Sequence, residues 1–400
     1  MWLLGTWNKV DSYIKPYLHI NSKRKIPVIV CYKDDVKVVK NKILNNSGRI
    51  KYEYTYVKAF ACDLPPLSID KLSENPEISY ICFDYKAKLC LRKTNDIIGI
   101  GNARLFNLTG KNIGIGIIDS GVYPHDDLTS LRNSVPYFKD LINNHERPYD
   151  DNGHGTFLCG CIASSGHSSS GMYVGIAPDS NLCVVKAFDA GGYGFMSDII
   201  KGIDELLNIK GRYNLRVLCL PFEFPYLNNL RINPLKEIIK KTISIGISVV
   251  APSGNLGPQP YSVYFPGNMQ DVVTVGGVSC LNKDIKSYFC PAFSGRGPTI
   301  EGYNKPDIVL PCVNIISLAS DTSFNPNNKK KSSLSNPYTT MSGTSISCAL
   351  IAGACALILE KTPELTPQDL KSVLCLSTMS IGENKFSQGN GLFIFDKIVK

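Results

Sequence analysis

Apolar and polar positions follow two textures along this chain, and the change falls near residue 97. Before it, apolar runs are short and broken by polar turns. Ile26–Tyr32 is rich in β-branched residues and reads as a strand, and Asp34–Leu44 spaces its apolar positions at helical intervals. Arg49–Tyr54 alternates, Val57–Leu64 follows as another strand, Leu67–Leu72 has helical character and Ile78–Phe83 is a closing strand. The order β-α-β-β-α-β predicts a small α+β, ferredoxin-like domain over residues 1–90. Lys86–Asn95 is charged and lacks an apolar period, so a linker is expected there.

After residue 97 the apolar runs become continuous: Ile113–Ile118, Leu182–Phe188, Val217–Leu220, Ile247–Ala251 and Val272–Val275. Helical stretches such as Ser197–Asn208 and Pro234–Ile245 lie between them. Strands apolar on both sides and separated by helices predict an α/β domain over residues 91–400, a parallel sheet covered by helices on both faces. Function in such sheets gathers at the carboxyl ends of the strands. Asp321–Pro337 is polar and reads as a surface loop. Ser345–Glu360, apolar nearly all round and dotted with Ala349, Ala352, Gly353 and Ala354, predicts a helix buried at the centre of the domain.

Charge and composition change this picture little. The formal charge is +9, but residues 1–90 hold a net +6 and the other 310 residues only +3. The basic runs Lys23-Arg24-Lys25 and Lys329-Lys330-Lys331 lack interleaved aromatics, so no nucleic-acid partner is expected. No run approaches the roughly 20 apolar residues of a spanning helix, and no membrane partner is expected. Met1–Trp7 lacks the basic flank and the length of a signal sequence. The 14 cysteines are dispersed and often sit in apolar runs, without a Cys-x-x-Cys pair. They read as reduced, buried thiols, and with the missing signal they set the expectation of a cytoplasmic protein, non-classical export left open.

The chemistry sits in three short motifs. Asp119 closes the run Ile115-Gly116-Ile117-Ile118-Asp119; His154 lies in Gly153-His154-Gly155-Thr156; Ser345 lies in Met341-Ser342-Gly343-Thr344-Ser345. A serine hydroxyl needs a base within hydrogen-bond reach, histidine has the pKa for that work, and a buried carboxylate fixes the imidazole tautomer. Of the five histidines only His154 lies between glycines at a helix start. Ser345 at the amino end of its helix would have unpaired N–H groups facing developing negative charge. Asn255, after the strand ending Ala251-Pro252-Ser253-Gly254, can add a side-chain amide to such an oxyanion hole. Nucleotide binding is disfavoured, since Gly99-Ile100-Gly101 and Gly114-Ile115-Gly116 lack the third glycine of the dinucleotide fingerprint. The G-x-S-x-G elbow fails as well, because Ile346-Ser347 follows Ser345.

In this order, and with Gly175-Ile176-Ala177-Pro178, Phe293-Ser294-Gly295-Arg296-Gly297-Pro298 and Lys305-Pro306-Asp307-Ile308-Val309, the motifs resemble the subtilisin-like serine proteases, the subtilases. The likeness runs over nearly the whole chain and is strongest to the intracellular bacterial members. It implies a serine endopeptidase acting on protein or peptide substrates through an acyl-enzyme on Ser345. It also implies that residues 1–90 are a propeptide, the intramolecular inhibitor of a self-processed zymogen, cut near Cys90-Leu91. No cofactor is implied for catalysis; structural calcium is common in the family, with ligands that one sequence does not assign.

By the same resemblance, Gly192-Tyr193-Gly194 is the edge strand that pairs with a substrate backbone, and Pro252-Ser253-Gly254 is one wall of the pocket for the residue before the scissile bond. The other wall departs from the family: Pro221-Phe222-Glu223 stands in place of Ser-Leu-Gly. A Glu223 carboxylate directed into the pocket would favour a basic residue there; directed outward, it would leave a narrowed apolar pocket. Ile346-Ser347-Cys348-Ala349 replaces Met-Ala-Thr-Pro, and Phe157 replaces a second histidine. These departures keep a second reading open, a catalytically silent or weakly active fold used for binding or signalling.

Overall fold

A computed structural model describes residues 9–18, 25–89, 108–224, 233–280, 287–327 and 334–399. The chain divides into two compact units, one of Met1–Lys86, Phe195–Glu205 and Asn229–Lys241, the other of Ala87–Gly194, Leu206–Asn228 and Thr242–Lys400.

In the first unit the strands Ile26–Tyr32, Arg49–Glu53, Ala59–Leu64 and Ile78–Phe83 form an antiparallel sheet, with the helices Val36–Asn45 and Pro66–Ser73. Ile26–Tyr32 is central, with Val30 opposite Phe60 on one side and Ile81 on the other. Asp35 caps the first helix by accepting from the Val38 N–H at 3.0 Å, which satisfies one of the donors a helix start leaves open. Val28, Val30, Val39, Ile43, Phe60, Leu64, Ile69 and Leu72 fill the core. Burying each such side chain stabilises by about 1.5–3 kcal/mol. Phe195 and the first turns of the helix Met196–Asn208, through Glu205, belong to this unit. Asp84 accepts from the Ser197 N–H at 2.7 Å and from its hydroxyl, and Tyr52 donates to Asp198 at 2.8 Å.

A nine-stranded sheet organises the second unit. Gly114–Asp119 pairs in parallel with Asn181–Lys186 on one side and Leu215–Cys219 on the other, and Ser248–Pro252, Val273–Val278 and Ile308–Pro311 continue the row in parallel. Every residue of Gly114–Asp119 is buried, as the continuous apolar run predicts. Strand order reverses at this strand, with later strands laid on both sides of it, so a switch-point crevice is expected at its carboxyl end. The helices His154–Ala163 and Thr344–Lys361 pack on each other and on the sheet. Thr344–Lys361 is long and apolar enough to cross a membrane, but it is 89% buried inside the fold. Gly353 lets it approach, since a Cβ there would stand 2.7 Å from the Ile176 side chain.

One element departs from expectation. Lys86–Leu89, read as linker, is a strand, and it lies between Phe222–Glu223 and Tyr193–Phe195 in a three-stranded sheet. Leu89 is paired with Phe222 and Lys88 with Glu223, antiparallel. The stretch is too short and polar to show a period of its own; two waiting edges supply its hydrogen bonds, a backbone effect to which side-chain pattern is blind.

Candidate active site

Asp119 ends its strand with both carboxylate oxygens 2.8 Å from His154 Nδ1, and the residue is fully buried. The Ser120 N–H donates to Oδ1 at 2.7 Å. An ionised carboxylate only accepts, so Nδ1 of the imidazole carries the proton and Nε2 is free to accept. Nε2 lies 3.0 Å from the Ser345 hydroxyl oxygen. The serine can therefore donate to a base whose tautomer is set from behind, the arrangement that nucleophilic catalysis needs.

Local backbone chemistry delivers His154. Gly153 caps its helix at φ 96°, a left-handed conformation that favours glycine. Gly155 must be small, because a Cβ there would come 2.1 Å from the Gly121 carbonyl oxygen and 3.2 Å from Asp119 Oδ1. Asp150 ties the turn: its Oδ1 accepts from Gly153 N–H at 2.8 Å and Ser120 Oγ at 2.9 Å, its Oδ2 from Thr156 N–H at 2.8 Å and Oγ1 at 2.6 Å. Ser120 Oγ in turn accepts from Gly155 N–H at 3.0 Å. Lys186, fully buried, donates to the carbonyls of Ser120 at 2.6 Å and Phe188 at 2.9 Å and to Asp151 at 2.6 Å. Sequence reasoning missed Ser120, Asp150 and Lys186. Ser120 and Asp150 flank quoted motifs, yet their pairing joins segments 30 residues apart and leaves no local signature.

Ser345 occupies the first turn of Thr344–Lys361 and is buried. Asn255 reaches the same helix start: its Oδ1 accepts from the Thr344 N–H at 3.0 Å and the Thr344 hydroxyl at 2.9 Å. Those two bonds orient the amide and leave Nδ2 shut from solvent without a hydrogen-bond partner. A buried donor without a partner costs about 1–3 kcal/mol, so its retention beside a nucleophile marks a place for a ligand oxygen. The altered residues after Ser345 fit without disturbing it. Ser347 Oγ donates to the Leu310 carbonyl at 2.9 Å, Cys348 Sγ lies 3.6 Å from Cys219 Sγ, and Phe157 is wholly buried.

Of the remaining predicted residues, Gly192–Gly194 and Pro221–Glu223 lie at the two edges that hold Lys86–Leu89, while Pro252 ends a strand of the large sheet and Ser253 and Gly254 follow it. Gly192, at φ 77°, turns the chain into Tyr193–Phe195, in which Tyr193 is exposed and Gly194 buried. Phe222 is buried and packs against Phe188, tilted, and Phe224, edge-on, with centroids 5.2 and 6.0 Å apart, so its ring is committed to the core. Pro221 and Pro252 are buried, and Ser253 Oγ lies 3.3 Å from Ser294 Oγ. Gly254, at φ 93°, faces the Glu223 carboxylate. Cys90 and Leu91 lie outside the described residues. Among the described residues no three His, Cys, Asp or Glu side chains are grouped to hold a metal ion.

Known proteins resemble this chain in family and in fold. The profile of the subtilase family, peptidase S8, matches residues 110–391. Serine protease AprX of Bacillus subtilis (strain 168) is 33% identical over 375 residues, covering 89% of this chain and 83% of its own. Subtilisin E of the same organism is 28% identical over 362 residues, covering 88% of this chain and 84% of its own. The crystal structure of fervidolysin from Fervidobacterium pennivorans, described as a keratinolytic enzyme related to subtilisin, superposes with a TM-score of 0.73. It covers 95% of this chain and 62% of that one at 18% identity, a likeness of fold.

Proposed function

Because this chain belongs to the subtilase family and is a serine endopeptidase, we propose that Asp119, His154 and Ser345 carry its peptide hydrolysis, with Asn255 completing the oxyanion hole. Ser345 Oγ attacks the scissile carbonyl as His154 Nε2 takes its proton, and Asp119 stabilises the imidazolium. The carbonyl oxygen, now negative, takes up Asn255 Nδ2 and the Ser345 N–H as donors. The carbon–nitrogen bond then breaks, His154 returns the proton to the leaving amine, and an acyl-enzyme remains. Water attacks by the same route, giving the carboxylate product and free Ser345. No metal or cofactor takes part in these steps.

The observation that carries the assignment is the 3.0 Å contact from His154 Nε2 to Ser345 Oγ beside a partnerless Asn255 Nδ2. A fluorophosphonate probe tests it. Wild-type protein is expected to gain one covalent adduct and Ser345→Ala none; a folded wild type that stays unlabelled returns the chain to the silent reading.

We further propose that residues 1–90 are a self-cleaved propeptide. Support comes from Lys86–Leu89, which pairs with Phe222–Glu223 as an extended substrate would. Cleavage at Cys90-Leu91 then falls just after the inserted strand. A reducing, cytoplasmic setting is also proposed; it suits the thirteen cysteines among the described residues, all free and most of them buried, with burial pushing the Cys31 thiol up to about 12.

A further inference from the structure

Accepting that reading of the site, we infer that Glu223 plugs the pocket for the residue before the scissile bond and restricts cleavage to small residues there. The argument begins with the two adjacent parallel strands Leu215–Cys219 and Ser248–Pro252, in which Cys219 is paired with Val250. Beyond their carboxyl ends the chain continues as Leu220–Glu223 and as Pro252–Asn255. A peptide that pairs with Phe222–Glu223 in the register of Lys88–Leu89 sets its next residue opposite Pro221, on the same face as Glu223, so that with its carbonyl offered to Ser345 and Asn255 its side chain is directed toward the gap between these two segments.

Glu223 crosses that gap. Only 6% of it is exposed, its Oε1 lies 3.4 Å from the Asn255 backbone N–H donor, and its Oε2 lies 2.2 Å from the point where Gly254 would carry a Cβ. The carboxylate thus rests on the opposite wall, against the one residue type that leaves it room. A side chain of one or two heavy atoms fits above such a bar. Phenylalanine, leucine, lysine or arginine must displace it. A basic residue paired to a carboxylate needs an open slot with the charge at its end, whereas here the carboxylate bridges the slot's sides. The junction proposed for self-cleavage agrees, since it puts a small residue, Cys90, in this position.

Cleavage profiling on a peptide library varied at the position before the scissile bond decides, with active enzyme counted by fluorophosphonate labelling of Ser345. Wild type is expected to cut after Gly, Ala, Ser and Cys at least tenfold faster, in kcat/KM, than after Phe, Leu, Lys or Arg. In Glu223→Gly the ratio of Phe to Ala is expected to rise at least tenfold. Glu223→Gln keeps the bulk without the charge, so its order of preference should follow wild type; it also serves where the glycine variant does not fold. A wild-type preference for Lys or Arg that Glu223→Gln abolishes overturns the inference in favour of charge recognition. A ratio unmoved in a labelled Glu223→Gly protein overturns it in favour of a pocket lying elsewhere. Absence of labelling in wild type instead counts against the assignment of the catalytic residues.

Discussion

Asn255 holds a donor in reserve, and that makes its contribution measurable. Its amide is oriented by Thr344 before any substrate arrives, so under the proposed oxyanion role the transition state would gain a hydrogen bond without reorganisation. Asn255→Ala is expected to lower kcat by about 10²–10³-fold, roughly 2.7–4 kcal/mol, with little change in KM. Steady-state kinetics on a peptide substrate read both; a fall of less than threefold would place the oxyanion elsewhere. Asp119, His154, Ser345 and Asn255 were legible in the sequence because each sits at an element end flagged by its own neighbours: an apolar run, paired glycines, or a buried helix. Asp150, Ser120 and Lys186 were not legible, because what they do is join separate segments. Glu223 was visible as a departure, but where its carboxylate lies is told only by its approach to the Gly254 Cβ position and to the Asn255 N–H.

Among the elements, the start of the helix Met196–Asn208 carries a built-in dependence on pH. Asp84 accepts there from the Ser197 N–H and hydroxyl, and burial pushes its carboxyl from the ordinary 3.8 up to about 7, against the opposing pull of those hydrogen bonds and of Lys51. A carboxyl whose pKa is higher folded than unfolded binds more protons in the folded state. Stability of the first unit therefore falls as pH rises from about 4 towards 7, by at most about 1.4 kcal/mol per pH unit from this group, and levels off above. Hydrogen exchange of amides in residues 26–83 of the Ser345→Ala chain should show faster opening at pH 8 than at pH 5.5, after correction for intrinsic rates. Asp84→Asn should flatten that difference; an unchanged difference would remove Asp84 as its source. Such a contact is invisible in sequence, since Asp84 and Ser197 are 113 residues apart. The strands and helices of both units were legible because their apolar periods match their burial, as in Gly114–Asp119 and Val36–Asn45. Lys86–Leu89 escaped because an inserted strand takes its order from the edges on either side.

For the whole molecule, the consequence of that insertion is kinetic. Ala87–Leu89, the walls at Gly192–Gly194 and Phe222–Glu223, and the reacting residues all belong to one compact unit of one chain. Under the proposed self-cleavage, a bond presented to a nucleophile of the same chain reacts at an effective concentration far above any the protein reaches in solution, up to about 10⁵ M or more in well-oriented intramolecular reactions. Self-processing at Cys90-Leu91 should accordingly be first order in protein. Freshly refolded wild type, followed by intact mass, is expected to convert to a 310-residue product starting at Leu91 with a half-time unchanged over a hundredfold dilution. Ser345→Ala should keep all 400 residues. A half-time that lengthens in proportion to dilution, or a Ser345→Ala chain cut as fast as wild type in its presence, would make cleavage intermolecular. The paired strand would then be an inhibitor delivered to the cleft after cutting, and its hydrogen bonds to Phe222–Glu223 would hold product in place without having positioned the substrate.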